Sequence, residues 1–317
     1  MTTGATFGLR GCAFALLAVG GGAMDAAAQE AFPPVDLDAY PVVNSVAFAP
    51  DGREMYFAIL YHRHLEHAGR PTADAPVTAM FSVRREGAGW AQPELLPFSG
   101  RFQDYEPTVS ADGRLMVFNS KRPYADGRTP ELNDLWQSRM GPDGDWSEPS
   151  RIEAITSFEH EESYPTLSAT GELVYLTGYP GEDGIVRYDL FQSRLDGGSF
   201  GPPERHPVST RRWGEGDPWI AANGSFLIFT RWDHSVGWNE TTDLYIAFNG
   251  PEGWSEPVPL TELNSDGPDF GAAVSADGRW LHYRRDSRFR TVALEPLLDR
   301  YRPAPGTGGG TERAPNP

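Results

Sequence analysis

The amino-acid sequence predicts an all-β fold made of five repeated units. Three observations support it: a short phrase recurs five times, each copy has a tight turn at its centre, and a second strand-turn-strand pattern follows four of the copies. The composition agrees, because 35 glycines, 28 prolines and an aromatic fraction of 12% favour turns and strands over helices. We therefore expect a single β-propeller of five four-stranded blades.

The recurring phrase is the inner hairpin of each blade. Its copies read "NSVAFAPDGREMYFAIL", "DYEPTVSADGRLMVFNS", "ESYPTLSATGELVYLTG", "GDPWIAANGSFLIFTR" and "DFGAAVSADGRWLHYRR". The turn positions are Asp51-Gly52, Asp112-Gly113, Thr170-Gly171, Asn223-Gly224 and Asp277-Gly278. Asp-Gly and Asn-Gly supply the positive φ that a two-residue turn between antiparallel strands needs.

The outer half of each blade follows the inner hairpin. Four units share a strand, a Gly-rich turn, an aromatic residue and a Pro-containing strand, as in "NDLWQSRMGPDGDWSEPSRI" and "TDLYIAFNGPEGWSEPVPL". The fifth unit has a third strand, "FRTVALEPLL", but no fourth. The segment "PPVDLDAYPVVNS" near the N-terminus resembles the blade-closing segments, so we expect an N-terminal strand to complete the last blade and close the ring.

The two ends of the chain are not expected to belong to the propeller. Residues 1–28 read as a signal peptide, because Arg10 precedes a short apolar run and Ala26-Ala27-Ala28 suits a signal peptidase. Residues 29–302 form the predicted propeller, and 303–317 form a Pro- and Gly-rich tail that we expect to be disordered. We expect cleavage near Ala28 and a periplasmic or secreted protein without membrane insertion.

Charge and cysteine content argue against a nucleic-acid partner and against cysteine-based sites. The formal net charge of −17 argues against a nucleic-acid partner, since phosphate binding is driven by Lys and Arg. Cys12 is the only cysteine and lies in the predicted signal peptide, so the mature chain offers no disulfide, thiolate metal site or cysteine nucleophile. A protein or an oligosaccharide remains as the expected partner.

Four carboxylates stand at the same place in the repeat, eight residues before the turn. They are Asp104, Glu162, Glu215 and Asp269, while the first unit has Val43. Because this position starts the innermost strand, we expect the four to ring one mouth of the central channel and to face water. Gathered carboxylates repel each other unless they are protonated, hydrated or neutralised, which makes them candidates for ligand binding. The alternative is that they bond backbone amides or hold channel water.

Basic residues and histidines are expected in the loops of the same face. Arg122, Arg231 and Arg285 either contact a ligand there or pair with the acidic ring. The segment "YHRHLEHAGR" adds His62, His64 and His67, which could ligate a metal or simply be solvated. No resident cofactor is predicted, and a divalent cation stays open. We expect function on this face rather than on the face of the Asp-Gly turns.

The repeat pattern also has a known counterpart. An acidic residue, two others, Pro, and then Ser-x-Asp-Gly, followed by "DLW", "DLF" or "DLY" and by "WSEP", resembles the WD40-like β-propeller repeat of TolB-type periplasmic proteins and many other exported proteins. The resemblance implies a protein-binding platform, a carbohydrate-handling scaffold or an accessory domain of an enzyme.

The predicted function is a non-catalytic binding scaffold, because the sequence contains architecture and no assignable nucleophile. Residues 197–201 match G-x-S-x-G, but they lie in a turn with no helix after it. The alternative is a glycosidase-like enzyme that uses two of Asp104, Glu162, Glu215 and Asp269 as acid and base. That alternative requires two of them to lie about 5–9 Å apart in an aromatic-lined pocket.

Overall fold

Five antiparallel β-sheets form the blades of a β-propeller in the computed structural model, which confirms the predicted fold. The structure describes residues 37–39, 42–67, 76–87, 89–236, 238, 242–286 and 288–303, without the side chains of 39, 42–45, 62 and 67. The predicted signal peptide and all but the first residue of the predicted tail lie outside these ranges. The described helical segments are a 3₁₀ turn (Leu37–Ala39), α1 (Tyr61–His67) and α2 (Leu294–Tyr301).

The first three blades have four or five strands each. The first blade consists of β1 (Val42–Phe48), β2 (Glu54–Leu60), β3 (Thr78–Glu86), β4 (Gly89–Trp90) and β5 (Glu94–Leu95). The second consists of β6 (Asp104–Val109), β7 (Leu115–Ser120), β8 (Asp134–Arg139) and β9 (Ser150–Arg151). The third consists of β10 (Glu161–Leu167), β11 (Glu172–Pro180), β12 (Val186–Asp196), β13 (Ser199–Phe200) and β14 (Glu204–Arg205). The predicted outer strands are therefore present but only two residues long.

The fourth blade repeats this pattern and the fifth departs from it. The fourth consists of β15 (Trp213–Ile220), β16 (Phe226–Asp233), β17 (Asp243–Gly250), β18 (Gly253–Trp254) and β19 (Val258–Pro259). Among the described residues, the fifth consists of β20 (Asp269–Val274), β21 (Trp280–Arg285) and β22 (Arg288–Ala293).

The predicted third strand of the fifth blade was too long, because its second half is helical. The strand ends at Ala293, and α2 begins at the next residue. Leu294, Leu297 and Leu298 are all buried, and their i, i+3, i+4 spacing places them on one face of α2. That face packs on the core of the fourth and fifth blades, so burial of the leucines favours the helix over a longer strand.

The N-terminal segment returns to the fifth blade, where ring closure was predicted. The 3₁₀ turn contacts β22, and the Phe289 N–H donates a hydrogen bond of 2.9 Å to Asp38 Oδ1. Leu37 is fully buried beside this contact. Residues 33–36, the first part of the predicted closing segment, lie outside the described residues. The closing contact is therefore seen, and the strand itself stays a prediction.

Each inner strand carries a β-bulge that the sequence analysis did not predict. The pairing register shifts in all five inner hairpins, for example between Tyr105 and Thr108 in the second blade and between Gly216 and Trp219 in the fourth. The bulge residues of the last four blades have positive φ: Glu106, Tyr164, Asp217 and Gly271. A bulge reverses the alternation of side chains, so residues beyond it point to the opposite side from the one that strict alternation gives.

The core lies between neighbouring blades rather than within one sheet. Between the first and second blades, Tyr56 and Met80 pack on Met116 and Phe118, and all four are almost fully buried. Each such side chain contributes about 1.5–3 kcal/mol relative to an exposed one. This arrangement requires strands that are apolar on both faces, such as "LMVF" of β7. The same packing fixes the positions of the strand ends that hold the site.

Candidate functional site

The four predicted ring carboxylates are buried inside the blades and do not face water. Asp104, Glu215 and Asp269 have no exposed surface, and Glu162 retains 2%. The prediction that they line an open channel mouth is therefore wrong. The reason is the bulge that follows them: it is the bulge residue, two positions later, that reaches the channel.

Asp104 shows what these carboxylates do instead. It accepts hydrogen bonds from Ser120 Oγ at 2.7 Å, Arg122 Nη2 at 2.9 Å and Ser99 Oγ at 2.8 Å. Ser99 belongs to the segment that links the first blade to the second, and its Oγ also accepts a bond from the Met80 N–H of the first blade. Asp104 thus joins two blades through one buried network.

The same arrangement recurs in the fourth and fifth blades. Glu215 accepts from Ser209 Oγ at 2.9 Å and lies 3.3 Å from Arg231 Nη2. Asp269 accepts from Ser265 Oγ at 2.8 Å and from Arg285 Nε at 2.7 Å. The arginines Arg122, Arg231 and Arg285 therefore pair with the carboxylates, which is the structural alternative that the sequence analysis kept open.

Glu162 differs because no arginine pairs with it within the described residues. It accepts a bond of 3.1 Å from the Ser157 N–H, and burial raises its pKa to about 8. Burial also raises the pKa of Glu215 to about 7, although Arg231 opposes the shift. Glu162 is thus protonated in most molecules near neutral pH, which lowers the cost of leaving it without a cation.

The histidines of the first blade lie on a helix rather than on a loop. His62, His64 and His67 all belong to α1, and His64 is exposed, with its ring 5.4 Å from the ring of Phe81. The side chains of His62 and His67 lie outside the description. No group of three or more metal-ligating side chains is found among the described residues. Metal binding by these histidines stays a prediction.

The bulge residues meet on the channel axis, a position that the sequence analysis missed. Glu106, Tyr164, Asp217 and Gly271 come from four different blades and line one small cavity of about 20 Å³. The sequence contains one indication of these bulges, because proline follows three of the four residues, at Pro107, Pro165 and Pro218. Proline within a strand is confined to edges and bulges, since it has no N–H to donate to the neighbouring strand.

A larger cavity opens beside this axis on the predicted functional face. It has a volume of about 410 Å³ and lies between the third, fourth and fifth blades. We call it the aromatic pocket and define it by its lining residues: Glu161, Tyr164, Leu176, Val186, Tyr188, Gly216, Asp217, Trp232, His234, Trp238 and Phe270. Tyr164 and Asp217 also line the axial cavity, so the two cavities adjoin.

Glycines clear the space for the rings of this pocket. A Cβ at Gly214 would lie 2.5 Å from Trp232 Nε1, and a Cβ at Gly178 would lie 2.8 Å from Tyr188 Cε1. Both distances are shorter than van der Waals contact. The two glycines therefore let Trp232 and Tyr188 lie flat against the strands, where they form two walls of the pocket.

The pocket is electrically negative or neutral at all its titratable side chains. Burial, and after it the charge of Glu106, raises the pKa of Asp217 to about 8. Burial lowers the pKa of His234, so this imidazole is neutral near pH 7. Glu161 accepts a hydrogen bond from Asn133 Nδ2 at 2.8 Å. No lysine or arginine is among the described lining residues.

A third cavity lies at the other end of the channel, on the face of the Asp-Gly turns. Its volume is about 460 Å³, and its walls are apolar side chains such as Phe48, Leu167 and Trp219. Glu295 of α2 is its only titratable residue among those described. Because few polar groups converge there to orient a ligand, we place the candidate site in the aromatic pocket.

The predicted catalytic carboxylates do not line the aromatic pocket. None of Asp104, Glu162, Glu215 and Asp269 lines the aromatic pocket. The carboxyl groups that do line it are those of Glu161 and Asp217. Glu161 is adjacent to the predicted Glu162, and Asp217 lies two positions after the predicted Glu215. The requirement set for the glycosidase alternative is therefore not met by the residues first named for it.

Comparisons with known proteins concern the fold. No family model matches the chain, and no curated protein matches it. A putative TolB from Agrobacterium tumefaciens is 13% identical, over 77% of this chain and 70% of its own, with a TM-score of 0.47. A protein of unknown function from Dyadobacter fermentans is 15% identical, over 80% and 78%, with a TM-score of 0.47. The Hadza microbial sialidase Hz136 is 13% identical, over 80% and 66%, with a TM-score of 0.46.

No helix in the described part of the chain is long and apolar enough to cross a membrane. The five sheets by themselves establish that the chain is a five-bladed β-propeller, and a TolB-type protein is among its structural neighbours.

Proposed function

We propose that this protein is an exported, non-catalytic binding scaffold that takes its ligand in the aromatic pocket. The observation that carries the proposal is the pocket itself: aromatic walls enclose about 410 Å³ around the carboxyl groups of Glu161 and Asp217. Ligand sites are typically concave, largely apolar and provided with a few convergent polar groups. The rigid blades below hold these groups in place.

An oligosaccharide is the ligand class that we propose first. Sugar rings present C–H faces that pack on aromatic rings, and their hydroxyl groups hydrogen-bond with carboxyl groups. Asp217 is protonated in most molecules at neutral pH, so it can donate a hydrogen bond as well as accept one. A protein partner that inserts one side chain into the pocket is the other form of the same proposal.

A thermal-shift screen against oligosaccharides, followed by calorimetry, tests this proposal. A true ligand raises the melting temperature by mass action, and Trp238→Ala removes the effect because Trp238 lines the pocket. Phe158→Ala is the matched control, since Phe158 is 54% exposed and does not line the pocket. Stabilisation that survives Trp238→Ala but not Phe158→Ala would place the site elsewhere.

One observation favours a carbohydrate-active enzyme as the second candidate. The pocket pairs a carboxyl group with a pKa of about 8, Asp217, with a second carboxyl group, Glu161. A protonated acid beside a carboxylate is the combination that glycosidases use. Hydrolysis of aryl glycosides that is lost in both Asp217→Asn and Glu161→Gln would favour the enzyme over the scaffold.

The remaining proposals concern location, cofactors and partners. We propose export after removal of residues 1–28, no resident cofactor, and no nucleic-acid partner on account of the net charge of −17. A divalent cation at the histidines of α1 is tested by melting with and without Zn²⁺. The test succeeds only if the shift disappears in a variant that lacks all three histidines.

A further inference from the structure

We infer that the aromatic pocket selects an organic ammonium group, as carried by an amino sugar or by a small quaternary amine. The inference rests on the proposed function and names the chemical class of its ligand. It depends on three features of the pocket: the angles between its rings, the sign of its charge and the position of its carboxyl groups.

The four aromatic rings of the pocket form two inclined pairs rather than one flat platform. Trp232 and Tyr188 have centroids 5.8 Å apart and planes inclined by 49°, and Trp238 and Phe270 have centroids 5.0 Å apart and planes inclined by 65°. All four line the same cavity. Rings inclined in this way give the cavity several aromatic surfaces rather than one flat wall, and aromatic surfaces that line one site recognise quaternary ammonium ions.

The charge of the lining agrees with a cationic ligand. Glu161 and Asp217 are the carboxyl groups of the pocket, and its histidine, His234, is held neutral by burial. The negative charge of Glu161 acts on the neighbouring wall of the pocket, because it contributes, after burial, to the raised pKa of Tyr188. The charge of Glu161 repels an anionic sugar and attracts an ammonium group, whereas Asp217, being mainly protonated, adds little net charge at neutral pH.

Arg284 contacts a ring of the pocket without lining it. The guanidinium carbon of Arg284 lies 6.0 Å from the centroid of Phe270 and 4.9 Å from that of Phe289. Arg284 interacts with the charges of Asp38 and Glu106. Burial lowers the pKa of Arg284, the two carboxylates oppose this shift, and Arg284 does not line the pocket.

Matched pairs of ligands test the inference by isothermal calorimetry on the whole mature protein. Choline is compared with 3,3-dimethylbutanol, which has the same shape without the charge, and glucosamine is compared with glucose. We expect the charged member of at least one pair to bind at least ten-fold more tightly than its neutral partner. The pair that shows the difference identifies the source of the ammonium group.

Substitutions then locate the cation in the pocket. Glu161→Gln should weaken binding of the charged ligand at least five-fold and leave the neutral ligand unchanged. Glu131→Gln, an exposed loop residue outside the pocket, should change neither. Trp238→Ala should abolish the preference and Trp238→Phe should restore part of it, which separates loss of a ring from loss of fold.

The outcomes distinguish the inference from the proposal beneath it. If neutral sugars bind as tightly as their charged partners and Trp238→Ala weakens both, the ammonium inference is wrong while the binding scaffold stands. If no member of either pair binds and the oligosaccharide screen also finds no ligand for the pocket, the proposed function fails and the inference fails with it.

Discussion

Asp104 and Arg122 form an ion pair of 2.9 Å in which neither side chain is more than 8% exposed. The pair links the inner hairpin of the second blade to the segment that leaves the first blade, because Arg122 Nη2 also donates to the Phe98 carbonyl at 2.6 Å. Such a contact acts on the stability of the ring, not on a ligand in the channel.

Removing the charge of Asp104 should therefore unfold the protein more easily. Asp104→Asn leaves the Arg122 guanidinium buried without a counter-charge, which typically costs about 3–5 kcal/mol. Urea unfolding measures the change. Asp126→Asn is the control, since Asp126 and Arg128 form a pair of 2.8 Å that is more than half exposed, so that solvent screens it and its loss should change stability little. Equal effects of the two substitutions would contradict the structural role.

Ring closure predicts that the N-terminal turn stabilises the whole propeller. Leu37→Ala should lower the free energy of unfolding by about 2–5 kcal/mol, because Leu37 is 1% exposed. Asp38→Ala should cost about 1 kcal/mol by removing the acceptor for the Phe289 N–H. Calorimetry should show one transition at a lower temperature. A melting temperature that neither substitution changes would mean that the ring closes without this turn.

Asp217 predicts a pH dependence of stability. Its pKa is raised from 3.8 to about 8, so the native state keeps a proton that the unfolded chain releases. The stability from this proton is fully present below about pH 3.8 and is lost progressively as the pH rises to about 8. Asp217→Asn cannot titrate, so the variant should gain stability relative to the parent protein across this window.

Unfolding in urea at several pH values between about 4 and 8 measures that gain. Glu106, Tyr164 and Thr230 interact with Asp217 and are present in both proteins, so the difference between the two proteins reports the Asp217 carboxyl group together with these interactions. A difference between the two proteins that stays constant with pH would show that Asp217 is already ionised in the native state.

The glycine beneath Trp232 predicts a steric test of the pocket wall. Gly214→Ala should displace the indole and lower the free energy of unfolding by about 1–3 kcal/mol. Gly89→Ala is the matched control, because the nearest atom to a Cβ there is the Glu86 carbonyl oxygen at 3.9 Å. Near-UV circular dichroism should change for Gly214→Ala alone. An unchanged spectrum would mean that the ring has room to spare.

Export is tested on protein recovered from its native host. We expect N-terminal sequencing to begin near Gln29, because cleavage after Ala28 removes the apolar run and Cys12. Binding by the recovered protein should be indifferent to thiol reagents. A chain that still begins at Met1 in the cytoplasm would contradict the signal-peptide prediction.

The fold could be predicted from the sequence because its main elements depend on local chemistry. Asp-Gly and Asn-Gly turns report hairpins wherever they occur, and Gly52, Gly113, Gly224 and Gly278 all adopt the positive φ that was predicted. The return of the N-terminal segment to the last blade also followed from a repeated phrase. The helix α2 was missed because its leucines continue an apolar run that reads equally well as a strand.

For the candidate site, only the face of the propeller on which it lies could be predicted, and not the residues that line it. Their position at the start of the innermost strand led to the prediction that Asp104 and Glu215 lie at the channel mouth, but both are buried in the blades and Glu106 and Asp217 line the axial cavity instead. Such a bulge depends on pairing between strands, and within one strand only the prolines that follow these residues report it. The aromatic pocket combines three blades, so no single repeat contains its pattern.

The bulges give neighbouring residues of an inner strand two different roles, lining the channel axis and holding the blades together. In each of the last four blades one residue projects onto the axis while its neighbours hold the blades together. A combinatorial library at Glu106, Tyr164, Asp217 and Gly271 would therefore vary the residues that line the axial cavity. Because the backbone at these positions is left-handed, glycine, asparagine and aspartate are the amino acids favoured there. A designer who wants a new specificity on this scaffold has four adjustable positions already built in.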